Sequence, residues 1–568
     1  MNAVLIALLA VPAATGLLGV LASPLLGRKF AVGLAGLGTL AAFVLAVILA
    51  FEVDPSSREA AVSISQKWIP SLGMRFELAV DGLNAALLVL TTFVWLIGTW
   101  WSMRDKDLAT PEYFLLLALG QSAVLGAFLA QDLILFVLFF DLMLLPFVLI
   151  TARAAADGPE GMRPVVLLLV YTLVGSLLML VASVALGILA QDATGAGSVT
   201  FNIATLANSP IDPTDQKWIL LALMAAFLIK MPIVPLHGWF APAYRAMPFP
   251  ALVIFAAVLS KVAAYGFLKI ALPILPDAVV SWRLILVILA LVSIIYASLV
   301  AFTTNEPRLV LGYSSIAQLG FILLGISSLD PAGAQGAIFQ SITHALVVVP
   351  AVILVAVITE RANGVERLDQ LGGLAKRAPV LTALFLVVAL AWLAMPGTGN
   401  FVAEYLVLLG QWRVAPWAAI IAAIGVVLAA FYALRLMIGA LQNARGDAID
   451  EDAPELGRFD GVALGVSIGA LVLLSLVPQL VLRTSETAGR TAVSPARALY
   501  ESEHRAGGTD ESAAEAGQSG TDGGFAVDPA LAPAGTELPN GTAVEEVEGV
   551  APPGEPGSEV PAQTKVTR

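Results

Sequence analysis

Leu228-Ile229-Lys230-Met231-Pro232-Ile233-Val234-Pro235-Leu236-His237 places a lysine inside an apolar run and follows it with two prolines. Each proline removes a backbone N–H and presses on the carbonyl one turn back, so the spacing predicts a helix that breaks just after Lys230. The apolar run covers about 217–247, long enough to cross a ~30 Å hydrocarbon layer. A lysine that deep cannot easily snorkel to the interface, and its charge costs about 2.5–3.5 kcal/mol on insertion scales. It asks for a partner, water or a function.

Working outward, such runs recur over most of the chain. Fourteen apolar spans are read at about 4–26, 30–52, 78–102, 111–130, 132–153, 164–190, 217–247, 249–272, 280–302, 307–328, 335–359, 379–412, 416–443 and 459–482. The 568 residues are 58% hydrophobic and 13% charged, against roughly 25% charged in a soluble domain. The fold class is therefore all-α and polytopic in a membrane. A soluble enzyme is excluded, as is a β-barrel with its ten-residue alternation. The first span lacks a basic n-region and is followed by Arg28 and Lys29, which predicts a retained helix with its N-terminus outside. Loops after odd-numbered spans carry about 14 Lys and Arg against about 7 after even-numbered ones, so the odd loops read as cytoplasmic and both termini as outer.

The twelfth span repeats the broken design as Leu393-Ala394-Met395-Pro396-Gly397-Thr398-Gly399-Asn400-Phe401, followed by Glu404. Two interrupted helices about 165 residues apart point to an internal repeat of the kind that holds mid-membrane sites in transporters. Asp141, Lys230, Lys261 and Glu404 all lie deep in their spans. Alternating acids and bases are what a proton relay needs. Between the two breaks stand Ser314, Ser315 and Gln318 in the tenth span and His344 in the eleventh, which together suggest a wet axis. Histidine can carry a proton near neutral pH, lysine can release one when its site desolvates, and glutamine can only organise water. Asp81, in Val80-Asp81-Gly82-Leu83-Asn84, reads as an N-terminal cap of the third helix.

There are no cysteines and three histidines, His237, His344 and His504, so no cysteine-ligated cluster or thiol couple can form and no metal motif is present. No cofactor is expected in this chain. The formal charge is −12, of which the stretch from Thr484 to Arg568, with fourteen acidic and five basic residues, supplies −9. The remaining body carries no basic surface for nucleic acid. The composition of that final stretch predicts a disordered acidic tail over 483–568.

These residues, taken in order, resemble the antiporter-like membrane subunits of respiratory complex I, the NADH-quinone oxidoreductase. The likeness rests on Val80-Asp81-Gly82-Leu83, Leu138-Phe139-Phe140-Asp141, Lys230-Met231-Pro232 through Trp239, Lys261, Tyr313-Ser314-Ser315, His344, Leu371-Gly372-Gly373-Leu374-Ala375-Lys376, and Pro396 to Glu404. Glu404 matches the subunit M group (the ND-four type), because sister subunits and the related Mrp-type antiporter subunits usually carry Lys there. The resemblance implies fourteen helices with two inverted five-helix repeats and broken helices seven and twelve. Helices one to three then occupy 1–110, the repeats 111–272 and 273–443, and helix fourteen 444–482.

It also implies a proton-translocating subunit of a bacterial cell-membrane complex, a translocase without a redox centre of its own. Flavin, iron–sulfur clusters and quinone would sit in other subunits, and neighbouring antiporter-like subunits, lipid, water and protons would be its partners. Asp141 would pair with Lys230, Lys261 would relay, and His344 would lead to Glu404, with His237, Ser314, Ser315, Gln318 and Asn400 supporting the path and Pro232, Pro235, Pro396 and Gly397 making the breaks. This sequence departs from the family in having Asp141 where Glu is usual, Gln318 where many relatives have His, and Gly397-Thr398-Gly399-Asn400-Phe401 where Gly-Leu-Ser-Gly-Phe is usual. The rivals are a subunit of an Mrp-type sodium/proton antiporter and a non-pumping scaffold that kept the fold.

Overall fold

The computed structural model describes residues 1–155, 161–194, 199–444, 446–449 and 455–518. The elements in order are α1 (Asn2–Leu26), α2 (Arg28–Phe51), β1 (Val62–Ile69), β2 (Met74–Val80), α3 (Ala85–Ser102), α4 (Pro111–Leu129) and α5 (Leu133–Ala155). They continue with α6 (Arg163–Thr194), α7 (Pro213–Lys230), α8 (Phe240–Ala246), α9 (Phe249–Ile274), α10 (Pro276–Thr303), α11 (Pro307–Ser327) and α12 (Pro331–Arg361). The last are α13 (Pro379–Trp392), α14 (Gly399–Val414), α15 (Pro416–Gln442), α16 (Arg458–Leu476) and α17 (Gln479–Gln518). Among the described residues twelve helices are long and apolar enough to cross a membrane. The other helical segments include the two interrupted pairs, α7 with α8 and α13 with α14.

Local chemistry sets the starts of these helices. Proline opens α4, α7, α10, α11, α12, α13 and α15, where its fixed φ suits the first turn and its missing N–H costs nothing. Thr110 accepts from Tyr113 N at 3.2 Å, Asp212 from Thr214 N at 2.8 Å and Asp330 from Ala332 N at 2.9 Å, each satisfying an orphan donor of a first turn. The helices divide by exposure. α9, α11 and α12 are buried almost all round, whereas α1, α2 and α6 turn most of their surface outward. A helix apolar on every face belongs at a bundle centre, and α9, α11 and α12 carry Lys261, Gln318 and His344 there.

The breaks lie where the prolines predicted. Leu228 O, deprived of a donor by Pro232, accepts from Ile233 N at 2.9 Å, and Ile229 O accepts the Trp239 indole N–H at 3.0 Å. Val234 N is caught by Ser293 Oγ at 3.0 Å. At the second break Ala394 and Gly397 take positive φ, and Gly399 N is caught by Ser475 Oγ at 3.0 Å. Both breaks thus use a serine of a neighbouring helix to hold a freed amide.

Two expectations fail. The third span was read from about 78, yet Met74–Val80 is a strand, pairing antiparallel with β1 from Val62 opposite Val80 to Lys67 opposite Arg75. The hairpin is tied to neighbouring turns by Gln131 N donating to Glu77 O at 2.9 Å and Asn202 Nδ2 donating to Glu77 Oε2 at 2.8 Å. α3 begins only at Ala85. Its entrance is a reciprocal turn in which Asp81 Oδ1 accepts from Leu83 N and Asn84 N, and Asn84 Oδ1 accepts from Asp81 N at 2.9 Å.

The second concerns the tail. Residues 483–518 belong to α17, and the rest of the tail, 519–568, lies outside the described residues. Val481, Leu482, Ser485, Ala492, Val493 and Ala496 are buried, a helical stripe that the polar average composition concealed. Gln335 Nε2 donates to Leu482 O at 2.9 Å and Thr487 Oγ1 to Pro55 O at 2.8 Å, so α17 bridges distant parts of the bundle.

Candidate functional site

Lys230 ends α7 at the first break and is 4% exposed. Its Nζ donates to Phe140 O at 3.0 Å and lies 4.3 Å from the centre of the Phe140 ring. The break explains this placement, because it stops α7 with the ammonium facing the carbonyls of α5. The expected contact pair with Asp141 is not present among the described ion pairs. Asp141 Oδ1 is buried with no hydrogen-bond partner, and the carboxylate sits beside Ser176 within the electrostatic reach of Lys230. Aspartate is one methylene shorter than glutamate, and the lysine turns to the backbone of the preceding residue instead.

A small cavity, with about 10 Å³ open to the centres of water molecules, is lined by Lys230, Trp239, Ala256, Ser260 and Ser315 among others. That is close to what one water requires. α9 contributes Phe255, Ala256, Leu259 and Ser260 to its lining and carries a π-helical stretch at Phe255–Leu259, a local widening common at functional sites. Lys261 follows it, 1% exposed, with Nζ at 3.3 Å from both Ala256 O and Ser260 Oγ. Lys230 thus lines the water-sized space, and Lys261 reaches two residues of its lining, Ala256 and Ser260.

The Phe255–Leu259 stretch packs on α12, where His344 is fully buried with neither ring nitrogen hydrogen-bonded and within the field of Lys261. One turn earlier on α12 stands Gln340, whose Nε2 donates to Gln318 Oε1; Gln318 Nε2 donates in turn to Glu404 Oε1 at 3.0 Å. Glu404 is 2% exposed and its Oε2 has no partner. Tyr432 lies beside Glu404 and Gln318 with its hydroxyl unbonded. Fully buried Asn400 sits one turn before Glu404 with both amide atoms unpartnered. Orphaned buried polar atoms in such density are the mark of positions served by water.

Most of the predicted residues thus fall into one buried row from Asp141 and Lys230 to Glu404. Ser315 lines the cavity beside Lys230, while Ser314 bonds back to Leu311 O at 2.8 Å. His237 does not join the row: it is half-buried and packs edge-on to Tyr296 and Tyr313 at 5.4 and 6.4 Å. Pro232 is buried at its break, whereas Pro235, Pro396 and Gly397 are exposed. Sequence reasoning missed Gln340 and Tyr432, although a glutamine in the apolar stretch 335–359 was itself a signal. Among the described residues no three His, Asp or Glu side chains gather into a metal site.

A second charged cluster marks the junction of hairpin and bundle. Lys269 Nζ lies 2.7 Å from Asp81 Oδ2, with both side chains under one-fifth exposed. Burial raises the Asp81 carboxyl, but the Lys269 ammonium and the hydrogen bonds from Asn84 and Leu83 outweigh it, holding the group below its ordinary value.

The bundle and its buried row define a polytopic membrane protein with ionisable groups strung across two interrupted helices. The chain belongs to the NADH:quinone oxidoreductase/Mrp antiporter transmembrane family, whose sequence profile matches residues 130–431. It is 33% identical over 425 residues to NADH-quinone oxidoreductase subunit M of Escherichia coli (strain K12), covering 74% of this chain and 83% of that one. A chain of respiratory complex I from Thermus thermophilus superposes with a TM-score of 0.77 at 27% identity, covering 87% of this chain and 99% of that chain. A chain of the Mrp complex from a Dietzia species superposes at 0.76 with 22% identity over 88% of this chain and 100% of that chain, a likeness of fold alone.

Proposed function

We propose that this chain is the subunit M type, proton-translocating membrane subunit of an NADH-quinone oxidoreductase, coupling quinone reduction elsewhere in the complex to proton movement. The observation that carries the reading is the hydrogen-bonded run Gln340–Gln318–Glu404 one turn from His344, with Lys230 on a water-sized cavity and Lys261 bonded to that cavity's Ala256 and Ser260. An acid at the end of the row also favours this reading over an Mrp-type antiporter subunit, where the family pattern places Lys.

In this mechanism a change in the field at Asp141 alters how strongly Lys230 holds its charge at Phe140 O. Like charges in a buried, low-dielectric interior repel more strongly than in water, so a fully charged Lys230 favours proton release from Lys261 towards His344. Gln340 and Gln318 cannot titrate; they orient water and Glu404 while water carries the proton. The two breaks, each with a serine holding a freed amide, support two inverted repeats over 111–272 and 273–443 within a fourteen-helix subunit. Termini on the outer face of a bacterial inner membrane, neighbouring antiporter-like subunits, and flavin, iron–sulfur clusters and quinone held by other subunits complete the reading.

The test is NADH-driven proton pumping in inverted membrane vesicles carrying Glu404→Gln, with electron transfer recorded in the same sample. The reading expects fewer protons moved per electron from an assembled complex. An unchanged ratio overturns it, and sodium-dependent transport that ignores quinone-site inhibitors would favour the antiporter.

A further inference from the structure

Glu404 and Gln411 lie seven residues apart on α14, which places them on one helix face about 10 Å apart along the axis. Gln411 is fully buried, and neither of its amide atoms has a partner. α14 crosses the start of α12 in close backbone contact. A Cβ on Gly336 would come 2.7 Å from Val407 N, and one on Gly410 would overlap Gly333. Beside that crossing, as the N-cap of α12, stands Asp330, its side chain only 2% exposed. Arg413, two residues beyond Gln411, lies 3.4 Å from Asp330 Oδ1, and Arg497 of α17 lies 2.9 Å from Oδ2. Arg497 also bonds Glu501 at 2.7 Å on the more exposed side, and its helix is seated by buried Val493 and Ala496.

We propose that the α12–α14 crossing is the outward end of the proton path, with Gln411 holding water between Glu404 and the face, and Arg497 and Arg413 closing its mouth on Asp330. The inference rests on the pumping function proposed above and adds its exit. Gln411 has the two donors and one acceptor needed to bridge waters, and it is the buried polar group next outward from Glu404 on that face. Arg497 belongs to a helix that joins the bundle after the last membrane span, so the mouth is closed by a separate piece of the chain. Arg497 and Arg413 are positioning residues in this scheme, and Gln411 acts through the water it holds.

The experiment uses the whole complex in inverted vesicles and compares Gln411→Met, which keeps shape without hydrogen bonding, with Glu404→Gln. Protons moved per electron are expected to fall to a similar level in both. A normal ratio in Gln411→Met beside a lowered one in Glu404→Gln overturns the exit and spares the function; normal ratios in both overturn both. For the closure, Arg497→Gln is expected to at least double the decay rate of an imposed proton gradient without NADH, and Arg497→Lys to restore it. An unchanged decay in Arg497→Gln overturns the closure.

Discussion

Gln318 Nε2 donates a 3.0 Å hydrogen bond to Glu404 Oε1, joining α11 to α14 across the second helix break while both side chains are cut off from solvent. The contact makes Gln318 a direct hydrogen-bond donor to Glu404, which its place in the tenth span alone did not show. It also makes Glu404 dependent on a residue 86 positions away.

Gln318→Leu leaves a buried carboxyl group without its donor, at a cost of about 1–3 kcal/mol. The complex should assemble with a lowered thermal midpoint and move fewer protons per electron, whereas Gln318→His, which still offers an N–H, should retain most pumping. Pumping vesicles with parallel thermal-shift measurements check both.

Lys230→Met removes the charge held at Phe140 O and over the Phe140 ring. Proton transport through this subunit should be lost, which the proton-to-electron ratio measures. Retention of the full ratio would remove Lys230 from the path.

Asp141 is offset from Lys230, so added length should help it. Asp141→Glu is expected to match or exceed the natural chain in pumping, and Asp141→Asn to fall below it, because only the former keeps a charge acting on Lys230. Equal pumping by the two variants would show that the carboxylate charge is not used.

Asp81→Asn takes the charge from the pair with Lys269. The environment lies between an exposed pair and a fully buried one, so about 1–3 kcal/mol of stability should be lost. Because the folded Asp81 carboxyl lies below its ordinary value, its contribution is complete above about pH 5 and fades as pH falls through the folded value. Unfolding midpoints of wild type and variant should differ at neutral pH and converge in acid.

Val493 is fully buried on α17, whereas Arg490 is exposed. Val493→Asp should release the helix from the bundle through the cost of an unpaired buried charge, while Arg490→Asp leaves it seated. Protease accessibility of residues 479–504 distinguishes the two.

The spans and both breaks were legible because they follow from local chemistry: apolar length decides membrane crossing, and proline removes a donor wherever it stands. Lys230, Lys261, His344 and Glu404 could be picked out because charge and polarity inside lipid are costly. The β1–β2 hairpin was hidden between spans, since it falls mostly in the polar interval before the third span and only the end of β2, from about Leu78, was read as the start of a helix. The buried stripe of α17 was hidden by averaging: Ala, Glu, Arg, Thr and Ser make up most of its composition, while its buried positions recur at helical spacing.

The sequence by itself determined a polytopic helical membrane protein, the place of each helix break and the identity of the buried charges, because each is a property of a residue and its near neighbours. Only the tertiary structure decided that Lys230 meets Phe140 O and not Asp141, that Gln340 and Gln318 connect the turn of His344 to Glu404, and that Arg497 reaches Asp330. Those relations join residues from 22 to 167 positions apart. They exist only once helices pack with a particular rotation and depth, which no local pattern specifies.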